Sequence, residues 1–331
     1  MEIDGKELYM ASIKDVAKLA GVGLGTASRV INNKGSVKPT TREKVLRAIR
    51  ELNYTPNEVA RSFQSQSSKL VGLIIPTVWH PFFSELTYYV ENELYKRGYK
   101  MMLCNSDAEA NKEIDYLEML KRHQVAGIIA ITYSDFTGFG TIDLPMVSID
   151  RYINDKIPHV ASNNYEGGKK AAEALIKGGA QKLAYVGGIP LFKSSVSERK
   201  KALIEVAKKH NRPYVVHETL PSDNQIDLTV KEFLKLYPDV DGVFTSTDLF
   251  AGALIKELNN QGKKVPEDVQ VVGFDGIQNN DFFKPILSTV VQPVEGIGRK
   301  SVEILLNLID KKEITYETIL DVSYRKGDTT K

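Results

Sequence analysis

Apolar residues recur three and four places apart over Ile13, Val16, Ala17 and Ala20, which puts them on one side of a helix. The run breaks at Gly21-Val22-Gly23 before a second periodic stretch, Leu24 to Asn32. Ser12 stands just ahead of the first run with Asp15 three places on, the pairing of a capping box, so the helix is predicted to start at about Ile13. A third segment opens at Thr40-Thr41-Arg42-Glu43, read as a second capping box, and turns Val45, Ala48, Ile49 and Leu52 inward. Two short helices joined by a tight Gly-containing turn form the helix-turn-helix pattern. A three-helix core this small is marginal by surface-to-volume scaling, so it is expected to lean on its neighbours or on a bound partner.

Beyond residue 68 the pattern changes to apolar β-rich runs alternating with amphipathic stretches. The runs are Leu70 to Pro76, Lys100 to Asn105, Gly127 to Thr132, Pro145 to Asp150, Lys182 to Gly187, Gly242 to Ser246 and Val269 to Phe274. Between them lie Phe82 to Arg97, Lys112 to Arg122, Gly167 to Lys177, Ser195 to Lys209 and Leu249 to Gln261, each with helical spacing. Strand, helix, strand repetition predicts an α/β fold of parallel sheets covered on both faces, and the length suits two doubly wound units side by side. A helix over Pro293 to Ile309 and a strand over Ile319 to Arg325 complete the two units. The expected organisation is an extension over 1–11, a helix-turn-helix domain over 12–56, a hinge helix and linker over 57–68, one subdomain from 69–162 with 293–315, and a second from 163–292 with 316–331.

Charge is unevenly spread. Between Ser12 and Gln66 ten Lys and Arg stand against four acids, whereas the whole chain carries only +2, so the rest is net negative and the positive field gathers at one end. That concentration suits phosphate binding, and together with the helix spacing it favours DNA over an ordinary solvated helical surface.

The motifs become specific in combination. Ile13-Lys14-Asp15-Val16-Ala17-Lys18-Leu19-Ala20-Gly21-Val22, then Thr26-Ala27-Ser28-Arg29-Val30-Ile31-Asn32, then Thr41 to Val45 and Leu52 to Asn57, resemble the lactose- and galactose-repressor family of bacterial regulators. The likeness runs from Ser12 to about Thr330 and is nearest to sucrose-type regulators of Gram-positive bacteria; residues 1–11 lie outside it, with Met10 a second candidate start. The resemblance implies that the second helix enters the major groove and reads bases through Leu24, Gly25 and Arg29. Arg29 alone among these can donate a bidentate pair, most naturally to guanine, and Leu24 can press on a thymine methyl. Gly23 stands where the family usually has Ser, which weakens a cap. Ser28, Asn32, Lys38, Thr41 and Arg42 are expected on phosphates, where they position the domain without specifying sequence. Asn57, Ala60 and Phe63 belong to a segment too short to be a stable helix alone. By resemblance it folds on DNA against its dimer mate and wedges Phe63 into the minor groove; a flexible linker with Phe63 packed on the next domain is the alternative.

The same resemblance implies a periplasmic-binding-protein-like body with an effector between its subdomains. Open α/β sheets place ligands at strand ends, and there the sequence offers Asp150, Asp275 and, at a helix start, Arg199. Two carboxylates and a guanidinium supply acceptors and donors to a polyhydroxylated ligand, and Phe82 and Trp79 can cover the apolar face of a sugar ring. Phe82 and Phe83 also suit simple packing at a helix start, and Arg199 a surface helix. Thr247 stands where the family commonly has Asn, and Asn163 where it has Asp. The expected partners are palindromic double-stranded DNA, a small carbohydrate such as sucrose, and a second copy of the chain. A corepressor or phosphoprotein that raises DNA affinity is the alternative, and a solute-binding protein without DNA activity is the reading from another class.

Other chemistries find little support. Gly21-Val22-Gly23-Leu24-Gly25 imitates a dinucleotide loop, but a helical pattern precedes it where a strand is required. The single Cys104 excludes an internal disulfide, and the five His residues show no metal-ligand spacing, so neither a metal nor a cofactor is expected. No nucleophile elbow or phosphate loop is present, so an enzyme is not expected. No cationic leader with an apolar core and no run of membrane-spanning length occurs, so a cytoplasmic location is expected. No heptad run follows Arg325, so a coiled-coil tetramer is not indicated.

Overall fold

The computed structural model describes residues 11–33, 35–55, 68–132, 144–189, 194–220, 226–277 and 285–331. The chain divides into two compact units, Met1–Ser68 and Lys69–Lys331.

In the first unit helices α1 (Ile13–Leu19), α2 (Leu24–Ile31) and α3 (Pro39–Glu51) surround Val16, Ala20, Val30, Val45 and Ala48. The Ser12 capping box is complete: the Ser12 hydroxyl accepts the Asp15 N–H at 3.4 Å, and the Asp15 carboxylate accepts the Ser12 N–H at 2.9 Å. Gly21, at φ 64°, takes the left-handed conformation that ends α1. The box expected at Thr40 is absent. Helix α3 starts one residue earlier, at Pro39, with Lys38 as an N-cap that makes no side-chain bond. Proline's fixed φ suits the first helical position and its missing N–H costs nothing there, so Pro39 sets the start and Thr40 falls inside the first turn. The hinge expected over 57–68, with Asn57, Ala60 and Phe63, lies outside the described residues except for Ser68.

The second unit holds two sheets. In the first, β1 (Leu70–Ile75), β2 (Lys100–Asn105), β3 (Gly127–Ala130), β4 (Met146–Ile149), β5 (His159–Ser162) and β11 (Glu317–Leu320) run parallel in the order β11-β5-β4-β3-β1-β2. Strand residues alternate between faces, so Val71, Leu73 and Ile75 meet α4 (Pro81–Lys96) and α10 (Val294–Ile309), while Ile74 and Ile128 pack with Leu120 of α5 (Ala110–Arg122). Burial on both faces explains why β1, β3 and β4 read as continuous apolar runs.

The second sheet has the order β12-β10-β9-β8-β6-β7, from β6 (Leu183–Gly188), β7 (Tyr214–Thr219), β8 (Gly242–Thr245), β9 (Gln270–Asp275), β10 (Ser288–Val291) and β12 (Ser323–Arg325). Among the described residues only the β10–β12 pair of this sheet is antiparallel. Helices α6 (Asn164–Lys177) and α7 (Ser197–Lys209) cover one face, and α8 (Ile226–Leu236) and α9 (Asp248–Asn260) the other. The chain passes between the sheets three times, after Ser162, after Gln292 and after Leu320. The last passage differs from expectation. The single strand expected over Ile319 to Arg325 is two strands, and 317–320 pairs with β5 in the first sheet, so 316–331 does not belong wholly to the second subdomain.

Helices α6 and α7 approach closely at Gly168, where an added Cβ would sit 2.3 Å from the Arg199 carbonyl oxygen. Gly168→Ala is therefore expected to cost about 1–3 kcal/mol by overpacking. The thermal unfolding midpoint should fall by several degrees, at about 2–4 °C per kcal/mol for a domain of this size; an unchanged midpoint would contradict the close approach.

Candidate nucleic-acid interface and effector cleft

On α2 the residues expected to meet DNA share one face. At about 100° per residue, Leu24, Ser28, Asn32, Gly25 and Arg29 fall within about 140° of arc, opposite the buried Ala27 and Val30. Leu24 is 46 % exposed, and Gly25 and Arg29 face solvent. An exposed leucine there has no core to fill. Gly23 caps α2 without a side-chain bond, so no side chain covers the helix start, where the Thr26 N–H donates to the Gly23 carbonyl at 2.9 Å. Ser28 and Asn32 are half-buried and bonded to each other at 3.2 Å. Thr41 and Arg42 lie in the first turn of α3, where Arg42 donates to Asn33 Oδ1 at 2.9 Å and so braces the segment leading into that helix.

In the second unit both sheets reverse their strand order at an inner strand, the first between β1 and β3 and the second between β6 and β8. Ligands of open α/β sheets lodge outside the carboxyl ends of strands at such switch points. A cavity of about 400 Å³ lies there, lined by Pro76, Ile131 and Thr132 after β1 and β3, by Gly188, Ile189, Ser246 and Thr247 after β6 and β8, and by Asp150 and Asp275 at the ends of β4 and β9. Five of the six expected effector residues, Phe82, Asp150, Arg199, Thr247 and Asp275, meet around this space. Trp79 does not. It is 90 % exposed and outside the lining, because the chain turns at His80 to begin α4 and carries Phe82 inward instead.

Arg199 is buried, and its surroundings hold it in place. Its Nε donates to Asn164 Oδ1 at 2.6 Å, its Nη1 donates to the Ser246 carbonyl at 2.6 Å, and its guanidinium lies 3.5 Å above the centre of the Phe274 ring. Among the described residues its Nη2 has no partner, which leaves that edge for a ligand. Asp150 and Asp275 are both in the positive-φ region, at 59° and 121°. Such backbone strain is kept where the surrounding structure fixes it, commonly at ligand sites. Asp150 Oδ1 and Asp275 Oδ2 are buried without a hydrogen-bond partner among the described residues, while Asp275 Oδ1 accepts from Gln292 Nε2 at 2.8 Å.

Burial pushes the Asp275 carboxyl up to about 8 against the pull of Arg199, with Asp248 and Asp150 pushing the same way as burial. Asp150 is raised by burial too, again opposed by Arg199. His80 is pushed down to about 4, by burial first and by Arg199 second. The His80 and Asp275 side chains are 3.8 Å apart, yet at neutral pH the imidazole is uncharged and the pair is not an ion pair.

Sequence reading missed three of these groups. In the sequence His80 counts only among the five His without metal-ligand spacing, though its place ahead of Pro81 marks a helix cap. Gln292 ends the apolar run Thr289-Val290-Val291 just before Pro293, and a buried amide there was a usable signal. Asn164 follows the Asn163 cap of α6 and gave no signal of its own.

Residues 12–57 match the model of bacterial regulatory proteins, lacI family, and residues 172–330 match that of a periplasmic binding protein-like domain. A ribose operon repressor of Bacillus subtilis is 38 % identical over 325 residues, covering 97 % of this chain and 99 % of its own. The chain belongs to the lacI family. Another member, a sucrose operon repressor of Streptococcus mutans, is 36 % identical over 321 residues, covering 97 % and 99 %. Among solved structures, a lacI-family regulator from Enterococcus faecium with bound ribose is 27 % identical, with a TM-score of 0.69 over 79 % of this chain and 98 % of that one.

A carboxyl whose pKa is raised by folding is stabilising while protonated, and that contribution is lost as pH climbs from the unfolded value near 4 through the folded value near 8. Asp275→Asn should remove this loss. Urea unfolding at pH 5 and pH 8.5 is expected to show the variant gaining on the wild type at the higher pH; a difference independent of pH would place the Asp275 carboxyl in water.

Proposed function

We propose that this lacI-family chain is a transcriptional repressor of sugar-utilisation genes, that it holds a palindromic operator as a homodimer, and that a small neutral sugar in the cleft sets its operator affinity. The observation that carries the sugar reading is the pair of buried, unpartnered carboxyl oxygens on Asp150 and Asp275 beside the open edge of Arg199. Buried polar atoms without partners are costly, and hydroxyl groups can both donate to carboxyls and accept from a guanidinium. Phe82 and Phe250 supply apolar surface in the same cavity. A space of about 400 Å³ falls within the range of about 300–1,000 Å³ usual for small-molecule pockets, enough for a pentose with ordered water or for a larger sugar. The names of the relatives make ribose and sucrose the first candidates. In this reading the protein acts on operator DNA in the cytoplasm. No described helix is long and apolar enough to cross a membrane.

The test is fluorescence anisotropy of a labelled palindrome from the DNA upstream of the chain's own gene, at one fixed salt concentration, with and without D-ribose or sucrose. One sugar is expected to change operator affinity by about 5- to 150-fold, the usual range of coupling between sites. Arg29→Ala in the same assay is expected to lose affinity and to stop distinguishing one G·C position. Operator binding that neither sugar alters removes the sugar reading; absence of binding removes the repressor reading.

A further inference from the structure

Among the described residues His80 is bound at only one of its two ring nitrogens. Nδ1 accepts the Phe82 N–H at 3.3 Å and so caps α4. A nitrogen that accepts carries no proton, so in the neutral ring the proton is on Nε2, and Nε2 is a donor only. Burial and the nearby Arg199 charge keep the ring neutral at physiological pH. Nε2 faces Asp275 Oδ2 at 3.8 Å, beyond the 2.7–3.2 Å or so of a hydrogen bond. Oδ2 is itself buried and without a partner among the described residues, since the Gln292 amide engages only Oδ1. The two atoms belong to different subdomains, His80 to the first sheet's helix α4 and Asp275 to the end of β9 in the second, and both line the cavity.

We propose that His80 and Asp275 form a two-sided clamp for one ligand hydroxyl, which accepts from His80 Nε2–H and pairs with Asp275 Oδ2, accepting from it when that carboxyl is protonated and donating to it when it is ionised. A hydroxyl seated to one side of the line between the two atoms reaches both. An ammonium cannot accept from His80, so the clamp excludes a cation, while a hydroxyl, which both donates and accepts, fits Asp275 in either state of its carboxyl. Because its halves come from different subdomains, the same hydroxyl ties the two together. His80 is thus a specificity-determining residue as well as a helix cap. The proposal rests on the effector reading of the cleft.

The two roles of His80 separate by substitution. Serine and asparagine are both good N-caps, but only asparagine can cap through its oxygen and still offer an N–H to the cleft. Calorimetric titration of the full-length chain with D-ribose and with sucrose gives the reference affinity. For whichever sugar binds, His80→Ser is expected to lose about tenfold in affinity, the scale of one lost hydrogen bond with its buried partner left unpaired. His80→Asn should recover part of that loss. A merely structural cap would leave both variants at wild-type affinity, and that result overturns the clamp. A ligand-side check avoids dependence on folding. Among deoxy analogues of the bound sugar, one should bind the wild type about tenfold more weakly than the parent, and His80→Ser should not distinguish that analogue from the parent. If no deoxy analogue behaves so, the clamp fails while the effector reading stands. If the wild type binds neither sugar, the effector reading fails and the clamp with it.

Discussion

Arg199 carries a positive charge almost wholly out of water, and the cost of doing so shapes the groups around it. Two of its edges are met by neutral acceptors, Asn164 and the Ser246 carbonyl, and one face by the Phe274 ring. None of these neutralises it. The carboxyls whose protons it pulls on, Asp150 and Asp275, are themselves pushed toward the protonated form by burial, and their oxygens are incompletely bonded. The cleft is therefore a set of polar groups held apart in a space of low polarity, where each lacks a partner that a hydroxylated ligand can supply. Such preorganisation lowers the ordering cost of binding.

The fold holds these groups in place through its crossings. Gln292, at the second passage between subdomains, donates to Asp275 and accepts from Ser162 Oγ at 2.7 Å, the last residue before the first passage. Across the cleft, the Ser194 and Ser195 hydroxyls donate to the Asp150 carbonyl at 3.3 and 3.1 Å. Ligand contacts and interdomain contacts thus share the same residues. A change at one is felt by the other, which is the physical requirement for a body that reports occupancy through the relation of its two halves.

Much of this was legible in the sequence because its signals are local. The Ser12 capping box, the apolar spacing of α1 and α2, and the doubly buried strands each follow from a few neighbouring residues, and strand ends led directly to Asp150 and Asp275. What was missed depends on distant parts of the chain. Strands β5, β7 and β10 are short or carry polar residues, and β7 lies at a sheet edge where its residues are only half-buried. The pairing of 317–320 with β5 is a contact between segments more than 150 residues apart, and nothing in its four residues indicates which sheet it joins. Trp79 was expected in the cleft from its aromatic character alone. The start of α4 at Pro81 decided otherwise, turning Trp79 to solvent and His80 and Phe82 to the cavity.

The most direct test of this account is calorimetric titration of D-ribose and of sucrose into the wild type and into Arg199→Lys, with circular dichroism to verify the fold. Lysine keeps the charge but not the planar fork that serves Asn164, Ser246 and a ligand at once. The account predicts that the wild type binds one of these sugars and that Arg199→Lys, while folded, binds it at least about tenfold more weakly. Equal affinity in the folded variant would contradict the claim that the cleft is organised around this guanidinium.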